Sequence, residues 1–384
     1  MKQFLIITFV FTSSMFLSGC TGLKNIQDLT YIVAIGMDYD QGKDEYTVYL
    51  QGLNFANVAK QEGGRPTEPV PIFVATETGE TLNLAVSKLY KKSEPPLFFG
   101  HVRTLVLSKN IVTHRFEEVI EEVSRNRSLR PTLNVMTTEE NILDVFTIKA
   151  LFHYPAIYTV LFKKGGVELS QDEIRPSTLM NFLRSYYEPM GAAKLTSLKI
   201  DQNQWKADKE FPILYIDGYS MFQTQKFKKD LPFHDSVFIN WLLEKNVTLD
   251  QKVEKGGELV AAVELTKPRM KVQYNKGTKK PSFSINLSVK GDLLEKIKDI
   301  PLEELTKLIE DDIKKRITAL YQEGVDNEID VLNIGRKWYL THPKEYSELK
   351  NSKNFYLNKE ALSDVEVDVN IFHFNTYKYK KMVK

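Results

Sequence analysis

The sequence predicts a multidomain α+β protein, with antiparallel or mixed sheets and packed helices. Three observations predict it. Strand-like runs with alternating apolar residues are interspersed with three/four-spaced helical runs, without a repeating β-crossover-β pattern. The chain has 384 residues, room for two or three domains at about 100–200 residues each. Its 42% hydrophobic and 27% charged content suits a core-forming chain rather than a disordered one.

At the amino terminus Lys2 precedes an apolar run at 4–16, and Leu17-Ser18-Gly19-Cys20 follows. The run is too short to span a bilayer core of about 30 Å as a helix, but it has the length of a secretory signal. Leu17, Ser18, Gly19 and Cys20 resemble the bacterial lipobox, in which the thiol takes a diacylglycerol and cleavage precedes the cysteine. An ordinary signal peptide or a buried helix with an incidental cysteine is the plainer alternative. Position, run length and small residues agree on lipidation. Removal of residues 1–19 leaves 365 of the 384 residues. No later stretch approaches 18 apolar residues, so the rest is expected to be a tethered soluble body.

The elements follow in order. Runs at 29–37 and 45–52 flank the turn formers Asp38 to Asp44 and predict a β-hairpin. A polar Gly/Pro loop at 61–70 leads to a strand at 71–75. Leu82, Leu84, Ala85, Leu89 and Tyr90 recur at helical spacing and mark a helix that Pro95-Pro96 stops. A strand at 102–108, a helix at 115–126, a strand at 133–137 and a helix at 140–152 come next. Ser170 to Glu173 has capping-box spacing. A polar seam at 190–211 precedes short strands at 213–217 and 219–223, joined near Gly218. A helix is expected within 234–246, then strands at 258–265, 269–274 and 282–290. A long helix occupies about 293–322, with Pro301 as a kink or first-turn residue and Gly324 near its end. Val365, Val367, Val369 and Ile371 alternate with polar residues as a half-buried strand. The expected division is a signal at 1–19, an α+β domain at 20–199, a small middle domain at 200–257 and a C-terminal α+β domain at 258–384.

Chemistry is sparse. The 52 basic and 50 acidic residues leave a net charge of +2, which lacks the basic excess of a nucleic-acid binder. One cysteine and six histidines build no disulfide scaffold and no cysteine-rich zinc site within one copy. Common nucleotide, zinc-protease and serine-hydrolase motifs do not occur. Asp38, Asp40 and Asp44 fit a turn better than a calcium loop, whose glycine stands one position later. Arg125, Arg127 and Arg130 form a basic patch, open to an anion or partner carboxylate but better explained by helix capping or pairing with nearby Glu. His101 follows an aromatic run and reads as a structural histidine. The basic, aromatic tail at 377–384 suits either an anionic membrane surface or solvent.

These motifs together resemble the bacterial spore germinant-receptor C subunit, a lipoprotein family. The resemblance runs from Gly19-Cys20 through Ile26 to Leu29 and Val33 to Asp38. It continues at Gly79 to Leu82 with Ala85, at Leu97 to His101 with Leu105 to Leu107, and at Arg125 to Arg130. A long late helix followed by Trp338, Pro343 and a terminal strand completes it. Departures are Thr21-Gly22 and Asn25 where family members often carry Trp-Asp and a nearby Glu, Asn126 where an acid is common, and Asn327-Glu328 after Asp326.

The resemblance implies a three-domain, non-enzymatic α+β lipoprotein without a cofactor, on the outer face of the spore inner membrane. Its implied partners are an A subunit, a multi-pass B subunit and membrane lipid through Cys20, with no nucleic acid. His101, Arg125 and Arg130 become interaction or structural positions. Two other readings stand beside it. A lipid-anchored solute-binding protein would show a deep interdomain pocket, and a hydrolase would show a His–carboxylate–nucleophile cluster.

Overall fold

Asp40 Oδ1 accepts the Gly42 and Lys43 N–H groups at 2.9 and 3.2 Å, folding the chain back in an Asx-type turn. The strands it joins are β1 (Thr30–Asp40) and β2 (Glu45–Leu53). They belong to a computed structural model that describes residues 29–53, 71–154, 156–163, 174–206, 210–244, 247–275, 280–349 and 355–374. The lipobox with Cys20, the 61–70 loop, the Ser170–Glu173 box and the 377–384 tail lie outside the described residues.

β3 (Phe73–Gly79) pairs antiparallel with β2. The Thr81 hydroxyl accepts Leu84 N–H and starts α1 (Leu82–Lys92), which buries Leu82, Ala85 and Leu89. β4 (Leu97–Phe98) lies parallel to the start of β1, with Leu97 opposite Thr30. β5 (Thr104–Ser108) runs parallel to the middle of β1. After α2 (Lys109–His114) and α3 (Phe116–Arg125), β6 (Asn134–Thr138) extends the parallel set. The helix expected at 140–152 is shorter: α4 (Ile142–Thr147) gives way to 3-10 turns between 151 and 162. β7 (Ser177–Thr178) and α5 (Leu179–Tyr186) precede β8 (Ala192–Asp201), the last parallel strand. The hairpin of β9 (Ile213–Gln223) and β10 (Lys226–Pro232) closes the ten-stranded sheet.

α6 (Phe233–Leu243) connects this sheet to a second, four-stranded one. Its strands are β11 (Leu249–Lys255), β12 (Glu258–Tyr274), β13 (Phe283–Lys296) and β14 (Leu362–Phe374), in that order, with only β14 parallel to its neighbour. α7 (Leu302–Asp326) lays Leu305, Ile309, Ile313, Ile317 and Leu320 into the core, a stripe at helical spacing. α8 (Ile334–Thr341) and α9 (Pro343–Leu349) complete the helices described. The α+β class is as predicted.

Several elements differ from expectation for identifiable reasons. The polar seam at 190–211 contains β8, in which Ala193, Leu195 and Leu198 are buried while the lysines take up alternate positions. The 199/200 boundary thus falls inside a strand paired with β9. β9 is one strand rather than two. Gly218 makes no turn there: at φ +144 its missing Cβ is what lets the Leu231 carbonyl approach, since a Cβ would stand 2.1 Å from that oxygen. β12 is likewise continuous, with a register shift between Thr266 and Arg269 where Pro268 interrupts the pattern. The long helix starts after Pro301, and Leu294 belongs to β13.

Candidate functional site at the sheet junction

Seven consecutive residues of α6, Ser236 to Leu242, are buried. Such a helix has no wet face, and it is wedged between the two sheets. Trp241 is fully buried and donates its indole N–H to the Leu265 carbonyl of β12 at 3.0 Å. Phe238 stacks beside it at 5.5 Å, capped by the Arg316 guanidinium of α7 at 4.1 Å from the ring centroid. The Ser236 hydroxyl donates to the Leu231 carbonyl and secures the start of the helix.

Asn240 of this wedge is held from the first sheet. Its Oδ1 accepts from the Lys194 ammonium at 2.5 Å and its Nδ2 donates to the Tyr219 hydroxyl at 2.6 Å. The same ammonium lies 4.5 Å from the Tyr219 ring centroid. Burial pushes the Lys194 pKa down to about 8, against the opposing charge of Glu244. Burial also raises the Tyr219 hydroxyl.

A second knot centres on Asp330, 1% exposed, in the turn after α7. Its Oδ1 accepts Ile334 N–H at 2.9 Å, and its Oδ2 accepts Gly335 N–H at 2.6 Å and the Tyr356 hydroxyl at 2.9 Å. Its own N–H donates to Gln223 Oε1 of β9 at 3.1 Å. Tyr356 in turn accepts Gly191 N–H at 2.9 Å, so one phenol ties the approach to β8 to the turn before α8. Burial drives the Asp330 pKa up to about 6, although the three donors pull the other way. Burial, with the Asp330 charge beside it, raises Tyr356 well above its usual value. Gly335 is required here because a Cβ would meet the Tyr356 ring at 2.3 Å.

Around these knots the surface is stitched by charge. Lys228 of β10 pairs with Glu328 at 2.5 Å, Lys229 with Glu323, and Glu188 meets both Arg336 and the Tyr339 hydroxyl. A crevice lined by Met221, Leu231, Leu320 and Val331 lies between β9, β10 and α7; its volume of about 10 Å³ admits roughly one water. Deeper in the first sheet, Thr137, Ser220 and Asp230 form a hydroxyl chain that ends on Lys109. Ser220 is buried, so this chain is structural rather than presented to a substrate.

The residues singled out by sequence lie elsewhere. Arg125 is exposed and pairs with Glu121 one turn back at 2.7 Å. Arg127 and Arg130 are exposed beyond the end of α3. His101 packs edge-on against Tyr31 at 5.1 Å and beside Phe98 at 5.6 Å. Asp44 is held below the usual carboxylate range by Tyr39 and Arg115 hydrogen bonds. Among the described residues no group of three or more His, Cys, Asp or Glu is placed to hold a metal ion, and no helix is long and apolar enough to cross a membrane. His234 Nε2 stands 3.0 Å from Asp235, but the neighbouring Ser236 hydroxyl is engaged with Leu231. Lys194, Asn240, Asp330 and Tyr356 were not singled out by sequence. Asp330 carries a readable signal, an acid set between Ile329 and Val331-Leu332.

Two domain families match this architecture. Residues 22–200 match the spore germination protein N-terminal domain, and residues 217–375 the C-terminal domain described as spore germination B3/GerAC like. The chain belongs to the germinant-receptor C subunit family. It is 22% identical to spore germination protein KC of Bacillus subtilis (strain 168), over 96% of this chain and 94% of that one. It is 29% identical to spore germination protein B3 of the same organism across 34% of each chain. The crystal structure of the GerBC protein superposes with a TM-score of 0.55 at 16% identity, covering 90% of this chain and 98% of that one. That likeness shows a shared fold. As a member of the germinant-receptor C subunit family, the protein is a spore-associated germination protein.

Proposed function

We propose that the chain is a non-catalytic, lipid-anchored subunit of a nutrient germinant receptor. In this reading Cys20 carries the lipid on the outer face of the spore inner membrane, and the folded body assembles with an A subunit and a multi-pass B subunit. The observation that carries it is the pairing of Leu17-Ser18-Gly19-Cys20 with a body in which the buried polar residues Asn240 and Asp330 are engaged at the junction of two sheets. A single acyl chain binds membranes marginally, whereas two or more give a stable anchor at about 0.8 kcal/mol per buried CH₂.

Spores carrying Cys20→Ala are compared with wild type by membrane fractionation and nutrient-triggered germination. The variant is expected to fold but to leave the membrane fraction and respond poorly. Full membrane retention of the unlipidated chain would sink the anchor. Affinity purification from wild-type spore membranes with partner identification tests the assembly: recovery of an ATP-driven importer instead of A and B subunits would favour the solute-binding reading.

A further inference from the structure

The parallel strands β1, β5 and β6 all begin at one end of the ten-stranded sheet, and that amino end is unlike the other. The opposite end of β1 is the polar Asp38–Asp44 turn. At the amino end Phe98 follows Leu97 opposite Thr30, and Phe73 sits opposite Gly52 at the close of β2. Tyr90 reaches the same end through its ring contact with Phe99 at 5.5 Å. The segment from 147 to 160 also hangs there, because it leaves and returns at anchored points. Gln51 donates to the Phe146 carbonyl, while Thr104, Arg103 and Asn134 donate to the carbonyls of Leu161, Phe162 and Lys163.

This end gathers five exposed aromatic rings. Phe152 is 81% exposed, Tyr158 66%, Phe73 60%, Tyr90 50% and Phe98 38%. Water is a poor environment for so many rings on one end. Tyrosine is enriched at the headgroup level of membranes, where its apolar body and polar tip are both satisfied, and phenylalanine buries its ring at the adjoining acyl boundary. The tether joins the fold at the same end, since β1 begins at Thr30. Nine residues lie between Cys20 and Thr30, so the ten Cα-to-Cα steps reach at most about 35 Å from the lipidated residue to the first residue of β1.

We infer that the amino end of the first sheet, with Phe73, Tyr90, Phe98, Phe152 and Tyr158, rests in the headgroup layer of the bilayer that holds the lipid anchor. This rests on the proposed lipidation of Cys20. The polar turn then points away from the membrane, about 33 Å off by the rise of an 11-residue strand.

The test uses the lipidated mature protein in phosphatidylglycerol/phosphatidylethanolamine vesicles. Phe152→Cys and Lys43→Cys variants each carry an environment-sensitive fluorophore, and brominated lipids serve as quenchers. The Phe152 label is expected to shift to the blue and lose intensity, the Lys43 label to do neither. The acyl mass on Cys20 is read in the same preparations. Acylated protein whose two labels are quenched equally, or whose Lys43 label is quenched more, overturns the inference alone. So does a Phe152 label shielded only when spore membrane proteins are added, which assigns the aromatic end to a protein partner. Unacylated Cys20 overturns both the anchor and this inference.

Discussion

Asn333, in the left-handed region at φ 52, accepts the Ala192 N–H at 2.9 Å. A residue at the start of α8 thereby satisfies the first donor of β8, 141 positions away in sequence. With the Tyr356–Gly191 bond beside it, the junction is set by backbone groups that a neighbouring chain segment satisfies rather than water.

Removing the Tyr356 hydroxyl tests how much this junction contributes. Tyr356→Phe leaves Gly191 N–H and one Asp330 oxygen without that partner in a buried place. The expected loss is about 1–3 kcal/mol, read as a lower urea midpoint with the slope unchanged. An unchanged midpoint would contradict the account.

Asp330 gives a pH dependence with a definite sign. Its folded pKa, about 6, stands above the ordinary value of 3.8, so its protonated form is favoured in the fold. Its contribution is therefore full below about pH 3.8 and lost as the pH rises through 6. The stability of wild type minus that of Asp330→Asn should increase by roughly 2–3 kcal/mol from pH 7 to pH 4. Denaturant titrations across that range measure it, and a flat difference speaks against the assignment.

Lys194 works in the opposite sense. Its folded pKa, about 8, lies below the usual 10.5, so its contribution is present above pH 10.5 and lost as the pH falls through 8. The stability of wild type relative to Lys194→Met should rise between pH 7.5 and about 10. Thermal melts of both proteins in matched buffers check the trend.

Glycines at the two close approaches are expected to be intolerant for a steric reason. Gly335→Ala drives a methyl into the Tyr356 ring, and Gly218→Ala drives one into the Leu231 carbonyl. Each should cost several times more than Gly256→Ala, whose position is open and carries only the strain of φ +61. Relative Tm values of the three variants decide it.

Arg125→Ala should change stability by at most about 0.5 kcal/mol, because its pair with Glu121 is an exposed one-turn ion pair. A germination defect in spores carrying a variant of unchanged Tm would then report contact with a partner rather than loss of the fold.

Local patterns were legible where chemistry and periodicity coincide. The Asp-rich hairpin turn, the Leu82–Leu89 stripe and the Val365–Ile371 alternation all carry their structure in adjacent residues. β8 was not legible, because Lys194 and Lys199 made a half-buried strand read as a polar linker. α5 starts at Leu179, beyond Pro176 and later than the Ser170–Glu173 box suggests, with Leu179, Phe182 and Tyr186 on one face. The knots at Asn240 and Asp330 are completed by Tyr219 and Tyr356, each more than 20 residues distant, and no local pattern encodes such a partner.

Helix α6 has one more consequence. With no solvated face, it allows little rotation of one sheet against the other without uncovering Trp241 and stripping Asn240 of its partners. A rotation of the first sheet against the four-stranded sheet is therefore resisted by the helix that Asn240 ties to the one and Trp241 to the other. Mechanically, the protein is a strut rather than a joint.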